Sequence, residues 1–379
     1  MRSQKRNFII ISFLVILLAG FGCIMVYSAS CYSAKYHFGN EYFFLYKQIF
    51  GMVVGLAFMF LFAFIDYHKL KKYVWVLYIV TIVLLVLVFI PGIGTSSYGA
   101  SRWISIFGFS IQPSEIAKFT LVIFCASYLS KNSDKVKTFK GLIPVLAVAG
   151  SICILVILEP SMSVTMCLAF TTLFMLIVGG ISKKHTIMFS IPAALCVPAL
   201  ILAEPYRMKR LFAFLNPWAS PQGEGFQLIQ SLYSLGNGGW FGVGLFSSRQ
   251  KYLFLPFAES DFILSIIGEE LGYIGIIGLM LVYIALIYFL IKISLNAPDR
   301  FGALLSAGVA FVIGVQTLLN IAVVSGSIPP TGLPLPFISS GGTSVMVFMA
   351  AIGICLNVNR QAKAGGKKMS ISFMRFKKR

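Results

Sequence analysis

Acidic residues are few in this chain: twelve Asp and Glu among 379 residues, against 31 Lys and Arg. Charged residues of all kinds make up 11% and hydrophobic ones 58%, a balance that excludes an ordinary soluble domain. Ligand-spaced histidines are missing too. His37, His68 and His185 have no partners at metal-binding intervals, so no intrinsic metal site is legible. The seven cysteines (Cys23, Cys31, Cys125, Cys153, Cys167, Cys196, Cys355) lie mostly within apolar runs and show no paired spacing. They read as small hydrophobes, which excludes a disulfide scaffold or a zinc cluster.

What is present is a series of apolar runs near bilayer-spanning length, with a mean hydropathy of +0.88. Ten are expected to be helices, at about 8–29, 46–65, 73–90, 114–129, 142–158, 163–180, 185–203, 262–292, 301–326 and 343–358. The first begins like a signal peptide, but residues 22–27 prolong it to spanning length, so it reads as an uncleaved helix. The net charge of +19 does not point to nucleic acid, because its distribution has a different logic. Cations gather at the N-terminus, at 69–72, 131–140 and 183–184, at Lys292 and Arg300, and in the tail; with ten spans all of these fall on one side. That is the positive-inside pattern. The sequence therefore predicts an all-α integral membrane protein of about ten transmembrane helices, with both termini cytoplasmic and a large extracytoplasmic loop between helices 7 and 8. Residues 1–360 form one polytopic unit; 361–379 form a basic cytoplasmic tail, solvated or lying on anionic headgroups.

Three outer segments, 91–113, 204–260 and 325–342, are long and rich in Gly and Pro. Irregular backbone near membrane depth is tolerable only where protein covers it or it lines a wet cavity. All three are therefore expected to be loops enclosing a shared outer cavity, the last as a re-entrant or packed segment.

Sorting the carboxylates narrows the chemistry. Asp66, Asp134 and Asp299 sit in basic loops, and Glu41, Glu204 and Glu224 lie on outer loops without special context. Glu115, Glu159, Glu259, Asp261, Glu269 and Glu270 remain, in or at the edge of spans, where an ionisable group is a functional suspect. Asp261 stands where the long outer stretch enters an apolar helix; its bland reading is an acid favoured by the helix dipole. Glu269, eight residues on, falls on the same helical face roughly 12 Å deeper, and with Glu270 reads first as buried structural polarity. Glu115 and Lys118 lie side by side at i,i+3 in a helix opened by Pro113. They are either an ion pair that seats a polar helix in the bundle, or a Lys118 facing an anionic ligand with Glu115 holding it. Arg102 beside Trp103, the run Tyr206-Arg207-Met208-Lys209-Arg210, and Arg249-Gln250-Lys251 add outward-facing cations suited to phosphate, or to lipid headgroups.

One well-placed carboxylate, several cations and an apolar surround suit a lipid-linked phosphorylated substrate. An inverting sugar transfer needs a base for the acceptor hydroxyl and positive charge for a departing diphosphate, whereas a glycoside hydrolase more usually shows two matched carboxylates. The motifs Ser101-Arg102-Trp103-Ile104, Gln112-Pro113-Ser114-Glu115-Ile116-Ala117-Lys118 and Arg207-Met208-Lys209-Arg210-Leu211 closely resemble the shape, elongation, division and sporulation family. So do Gly225-Phe226-Gln227, Gln250-Lys251, Ala258-Glu259-Ser260-Asp261-Phe262-Ile263, Gly268-Glu269-Glu270-Leu271-Gly272, Asn320 and Thr331-Gly332-Leu333-Pro334-Leu335-Pro336-Phe337-Ile338-Ser339. The resemblance runs over nearly the whole chain in order.

It implies a ten-span peptidoglycan glycosyltransferase that polymerises lipid II beside a class B penicillin-binding protein and other cell-wall synthesis proteins. Asp261 would be the general base, with Arg102, Lys118 and Arg210 as diphosphate contacts, Glu115 orienting Lys118, and Gln227 and Lys251 also at the substrate. Two departures stand out: Glu159-Pro160-Ser161 where the family often has Gln-Pro-Asp, and Glu259-Ser260 where many members carry His-Thr. Tyr27-Ser28-Ala29-Ser30 and the Glu-Ser-Asp-Phe segment favour the division and sporulation branches over elongation. No cofactor is implied. A divalent cation at the substrate diphosphate stays open, because its ligands would be substrate oxygens. The rival readings are a transporter flipping the same lipid and a non-catalytic scaffold.

Overall fold

The structure, a computed structural model, describes residues 2–97, 100–106, 109–202 and 205–362. The basic tail predicted at the C-terminus therefore lies outside the described residues from position 363 onward, as does Glu204. The chain folds as α1 (Arg2–Phe38), α2 (Phe43–Phe64), α3 (His68–Lys72), α4 (Val74–Leu87), strands β1 (Gly94–Ser97), β2 (Ala100–Ile106) and β3 (Phe109–Ile111), α5 (Pro113–Lys131), α6 (Phe139–Leu158), α7 (Met162–Val178), α8 (Lys183–Leu202), α9 (Pro205–Leu215), α10 (Phe226–Gly238), α11 (Ile263–Leu295), α12 (Arg300–Val324) and α13 (Gly342–Gln361). Each apolar run predicted from the sequence coincides with an α-helix. Six of these helices, α1, α2, α6, α11, α12 and α13, are long and apolar enough to cross a membrane, and α4 and α7 are shorter apolar helices. The protein is membrane-embedded.

The polar helix α5 explains itself by position. Nearly all of its residues are buried against α4, α7 and α12, and a helix surrounded by protein need not be apolar toward lipid. Pro113 occupies its first turn, where the missing N–H costs nothing. At the end of the bundle where α1 begins and α13 finishes, side chains tie the turns together. Gln361 donates to Asp66, Asn359 to the carbonyl of Gln4, Arg300 to that of Gly179, and the Tyr67 hydroxyl to Asp299.

The opposite end departs from the sequence reading in three places. The fold is not purely helical: part of the expected 91–113 loop is a three-stranded antiparallel sheet, pairing Gly94 with Ile104 and Ile104 with Ile111. Its β2 puts Arg102 and the buried Ile104 on one face, as a strand's two-residue period requires. The long 204–260 segment contains two helices, α9 and α10, rather than loop alone. Finally, α11 is broken at Gly272, whose φ of 68° only glycine adopts without strain.

The break is filled by chain. Val243 and Gly244 donate their N–H groups to the carbonyls of Glu269 and Glu270, while Tyr273 and Ile274 donate to Gly239 and Trp240. Backbone groups freed at membrane depth must find such partners, and here a neighbouring loop supplies them. The 325–342 segment is a packed coil. Leu333, Leu335, Phe337 and Ile338 are buried, and the Tyr283 hydroxyl donates to the Pro336 carbonyl.

Candidate active site

The three loop regions meet at one cavity of about 2350 Å³. At its polar end stand Asp261, Ser260 and Glu259 from the strip before α11, with Arg102 of β2, Arg210 of α9, Gln227 of α10 and Gly332 of the packed coil. The remainder is apolar and runs between α2, α5 and α13, along Phe50, Val54, Phe58 and Phe62 on α2 and past Phe119, Ile123, Val347 and Ile354. Positions four apart on α2 give one continuous stripe, roughly 18 Å long by helix rise.

Asp261 is half-buried just before the first turn of α11. Its main-chain carbonyl accepts from Asn320 at 2.9 Å, and the same amide donates to the carbonyl of Leu333 at 2.8 Å. On the side chain, Ser260 donates its hydroxyl to Oδ1 at 3.0 Å, and a Cβ at Gly332 would stand 3.2 Å from Oδ2. The strip is pinned further by Ser339, whose hydroxyl donates to the Ser260 carbonyl, and by the Ser340 N–H on Glu259. Burial pushes the Asp261 carboxyl above its usual range, while the Ser260 hydrogen bond and the charges of Arg102 and Arg210 pull it down. Burial likewise raises Glu259, and the neighbouring Asp261 charge adds to that.

Arg102 and Arg210 face this carboxylate from opposite loops. Arg102 is anchored on the α6–α7 turn, donating from Nε to the Glu159 carbonyl at 3.1 Å and from an Nη to that of Pro160 at 2.5 Å. Arg210 reaches the Pro330 carbonyl at 3.5 Å, and Gln227 donates its amide to that of Pro256 at 3.2 Å.

Two other expected substrate contacts are placed elsewhere. Lys118 and Glu115 are fully buried and do not line the cavity. The Lys118 ammonium lies 2.7 Å from Glu115 and 2.5 Å from the Gln316 side-chain oxygen, while Ser344 donates to the other Glu115 oxygen. The expectation that Lys118 faces an anionic ligand does not match this placement, in which the buried ammonium turns to Glu115 and Gln316. Gln316 donates in turn to the Pro334 carbonyl at 2.8 Å, so the pair reaches the coil beside Asp261 indirectly. Sequence reasoning missed Gln316, since its partner is 198 positions away.

Lys251 touches the cavity wall, yet its ammonium is held by Glu270 at 3.2 Å and by the Phe246 carbonyl at 2.6 Å. Glu270 also accepts from Ser28 of α1 and from the N–H of Ser248. Glu269 does not line the cavity either. It accepts from the Ser234 and Ser248 hydroxyls and from the N–H groups of Arg249 and Gln250. Both glutamates therefore hold the 239–251 loop, in keeping with their reading as structural polarity. Among the described residues no three His, Cys, Asp or Glu gather into a metal-binding group.

Comparison with known proteins agrees with this architecture. The profile of the FtsW/RodA/SpoVE family, described as a cell cycle protein, matches residues 8–364. The chain is 38% identical over 351 residues to stage V sporulation protein E of Bacillus subtilis (strain 168), covering 92% of this chain and 96% of that protein. It is 37% identical over 364 residues to a probable peptidoglycan glycosyltransferase FtsW of Geobacter sp. (strain M18), covering 96% and 99%. Among solved structures, a chain from a study of how a peptidoglycan synthase complex coordinates polymerization and crosslinking superposes with a TM-score of 0.77 at 27% identity, covering 94% of this chain and 98% of that one. The rod shape determining protein RodA of Thermus thermophilus shares the fold, with a TM-score of 0.68 at 24% identity, covering 94% and 97%.

Proposed function

Because the chain belongs to the FtsW/RodA/SpoVE family, we propose that the cavity at Asp261 is the active site of a peptidoglycan glycosyltransferase that polymerises lipid II. One observation carries the assignment. A half-buried carboxylate flanked by two arginines stands at the polar end of a cavity whose remainder is apolar. At about 2350 Å³ that cavity exceeds the several hundred Å³ typical of a drug-sized ligand, and a long lipid tail accounts for the difference.

In the reaction the Asp261 carboxylate takes the proton of the acceptor sugar's 4-hydroxyl as its oxygen attacks the donor's anomeric carbon. The bond from that carbon to the phosphate oxygen breaks, and undecaprenyl diphosphate leaves with the electron pair. A raised pKa makes Asp261 a stronger base than an exposed aspartate. Arg102 and Arg210 meet the charge that develops on the diphosphate, so no general acid is needed. A divalent cation carried in on the diphosphate would add positive charge there through substrate oxygens.

Gln227 and Lys251 complete the polar wall, Lys251 by holding its loop. Glu115 and Lys118 act through Gln316, fixing the coil that presses on Asp261. Glu115, Lys118, Glu269 and Glu270 do not line the cavity and are engaged with neighbouring groups, which counts against a transporter reading in which they would line a path. Ten crossings of the bacterial cytoplasmic membrane, with both termini and the 361–379 tail inside, follow from the cation distribution. A class B penicillin-binding protein is the proposed partner, and septal or spore wall synthesis the proposed setting.

The test is lipid II polymerisation by the purified protein with its penicillin-binding partner, wild type against Asp261→Asn. Glycan strands of normal length from the variant would refute the general-base role and return the transporter reading to the front.

A further inference from the structure

The α6–α7 turn holds a buried acid that the reaction above leaves unused. Glu159 caps the C-terminal end of α6 with no exposed surface, and both of its carboxylate oxygens lack a hydrogen-bond partner. An ionised carboxylate with no hydrogen bonds in a dry environment is costly enough that the group normally keeps its proton. Burial accordingly pushes Glu159 up to about 8, opposed by the charge of Arg102. The turn that buries this acid also anchors that arginine, through the Glu159 and Pro160 carbonyls. Arg102 thus has a carboxyl group on each side, Glu159 within the wall and Asp261 across the cavity, and its charge acts on both.

We propose that Glu159 is a positioning residue for Arg102: as the neutral acid it leaves the guanidinium's charge directed into the cavity, and on losing its proton it draws that charge back into the wall. The proposal rests on the reading of the cavity as a diphosphate site, because that is the anion Arg102 would serve. Other charged groups near the turn do not substitute for it. On α5, which packs against both α6 and α7, Glu115 and Lys118 are paired with each other. Across the cavity stand Glu259 beside Asp261, and Arg210 on α9. Ser163, next along α7, is turned to the Thr331 carbonyl.

Two measurements test it. The first is KM for lipid II as a function of pH on both sides of 8. Wild type should lose affinity on the alkaline side by about tenfold, the worth of one charge-assisted hydrogen bond, while the isosteric Glu159→Gln keeps its KM there and both retain the same acid limb in kcat. Superimposable KM profiles overturn the proposal. The second needs neither activity nor a variant: infrared titration of the wild-type protein should show a protonated carboxyl band at neutral pH that fades as the pH is raised, and Glu159→Gln identifies the band by removing it. If no buried carboxyl remains protonated at neutral pH, the proposal fails even where polymerisation is robust. If the band is present but the protein does not polymerise, the diphosphate-site reading is what fails.

Discussion

The side-chain amide of Asn320 donates at once to the main-chain carbonyl of Asp261, at 2.9 Å, and to that of Leu333, at 2.8 Å. One residue of α12 therefore sets the spacing between the strip that carries the carboxylate and the coil that presses on it. Ser339 and Ser340 repeat the bridge one step along. The strip that carries the carboxylate is held by backbone anchors on both sides, and the side chain lines the cavity.

Asp261→Asn is expected to lower polymerisation by about 100- to 10,000-fold, the usual worth of a positioned base. The base must be ionised to act, so activity falls as pH falls through its pKa. Because burial raises that pKa, the acid limb should lie above the ordinary aspartate range. Ser260→Ala removes a hydrogen bond that favours the ionised form, and should move the limb higher still. A pH–rate profile of each variant checks both the direction and the order.

Lys118→Met should destabilise the protein by about 3–5 kcal/mol, because it strands Glu115 as an unpaired buried charge. Adding Glu115→Leu should recover much of that loss, since apolar groups of similar size can replace a buried pair. Thermal unfolding in detergent measures both. A Lys118 that served only as a ligand contact would leave stability unchanged in the single variant.

Glu269→Gln weakens charge-assisted bonds from Ser234, Ser248, Arg249 and Gln250 together. Amide exchange across 243–251 should accelerate by about tenfold or more, given the worth of hydrogen bonds to a charged group. The two halves of α11 should exchange as before.

Gly272→Ala places a side chain where φ is 68° and where its Cβ would stand 2.4 Å from the Trp240 carbonyl oxygen. The backbone strain alone costs about 1–3 kcal/mol, and the contact adds to it. The expected outcome is a lower unfolding temperature and loss of protection at Val243 and Gly244, whose N–H groups close the break.

The helices were legible because a bilayer leaves no alternative for a long apolar run: its backbone must pair with itself. Asp261, Arg102 and Arg210 were legible as charges at the edges of such runs, where they are expensive without a use. The i,i+3 spacing of Glu115 and Lys118 announced their pairing as well, but it carried no information on whether water or protein surrounded them. The sheet at 94–111 escaped notice because its short strands, rich in Ser, lack a sustained apolar alternation. Gly272 escaped because a glycine within an apolar run is compatible with an unbroken membrane helix.

The sequence by itself therefore determined the membrane-embedded helices, the cation asymmetry and the identity of the acid at the head of α11, since each depends on local composition set against the solvent. Only the tertiary structure decided which charges meet the cavity. Gln316 turns Lys118 inward, Glu270 takes Lys251, and Glu159 comes to rest unpaired beside Arg102. Those outcomes depend on partners brought together from distant parts of the chain, and desolvation acts on a charge only once its neighbours are in place.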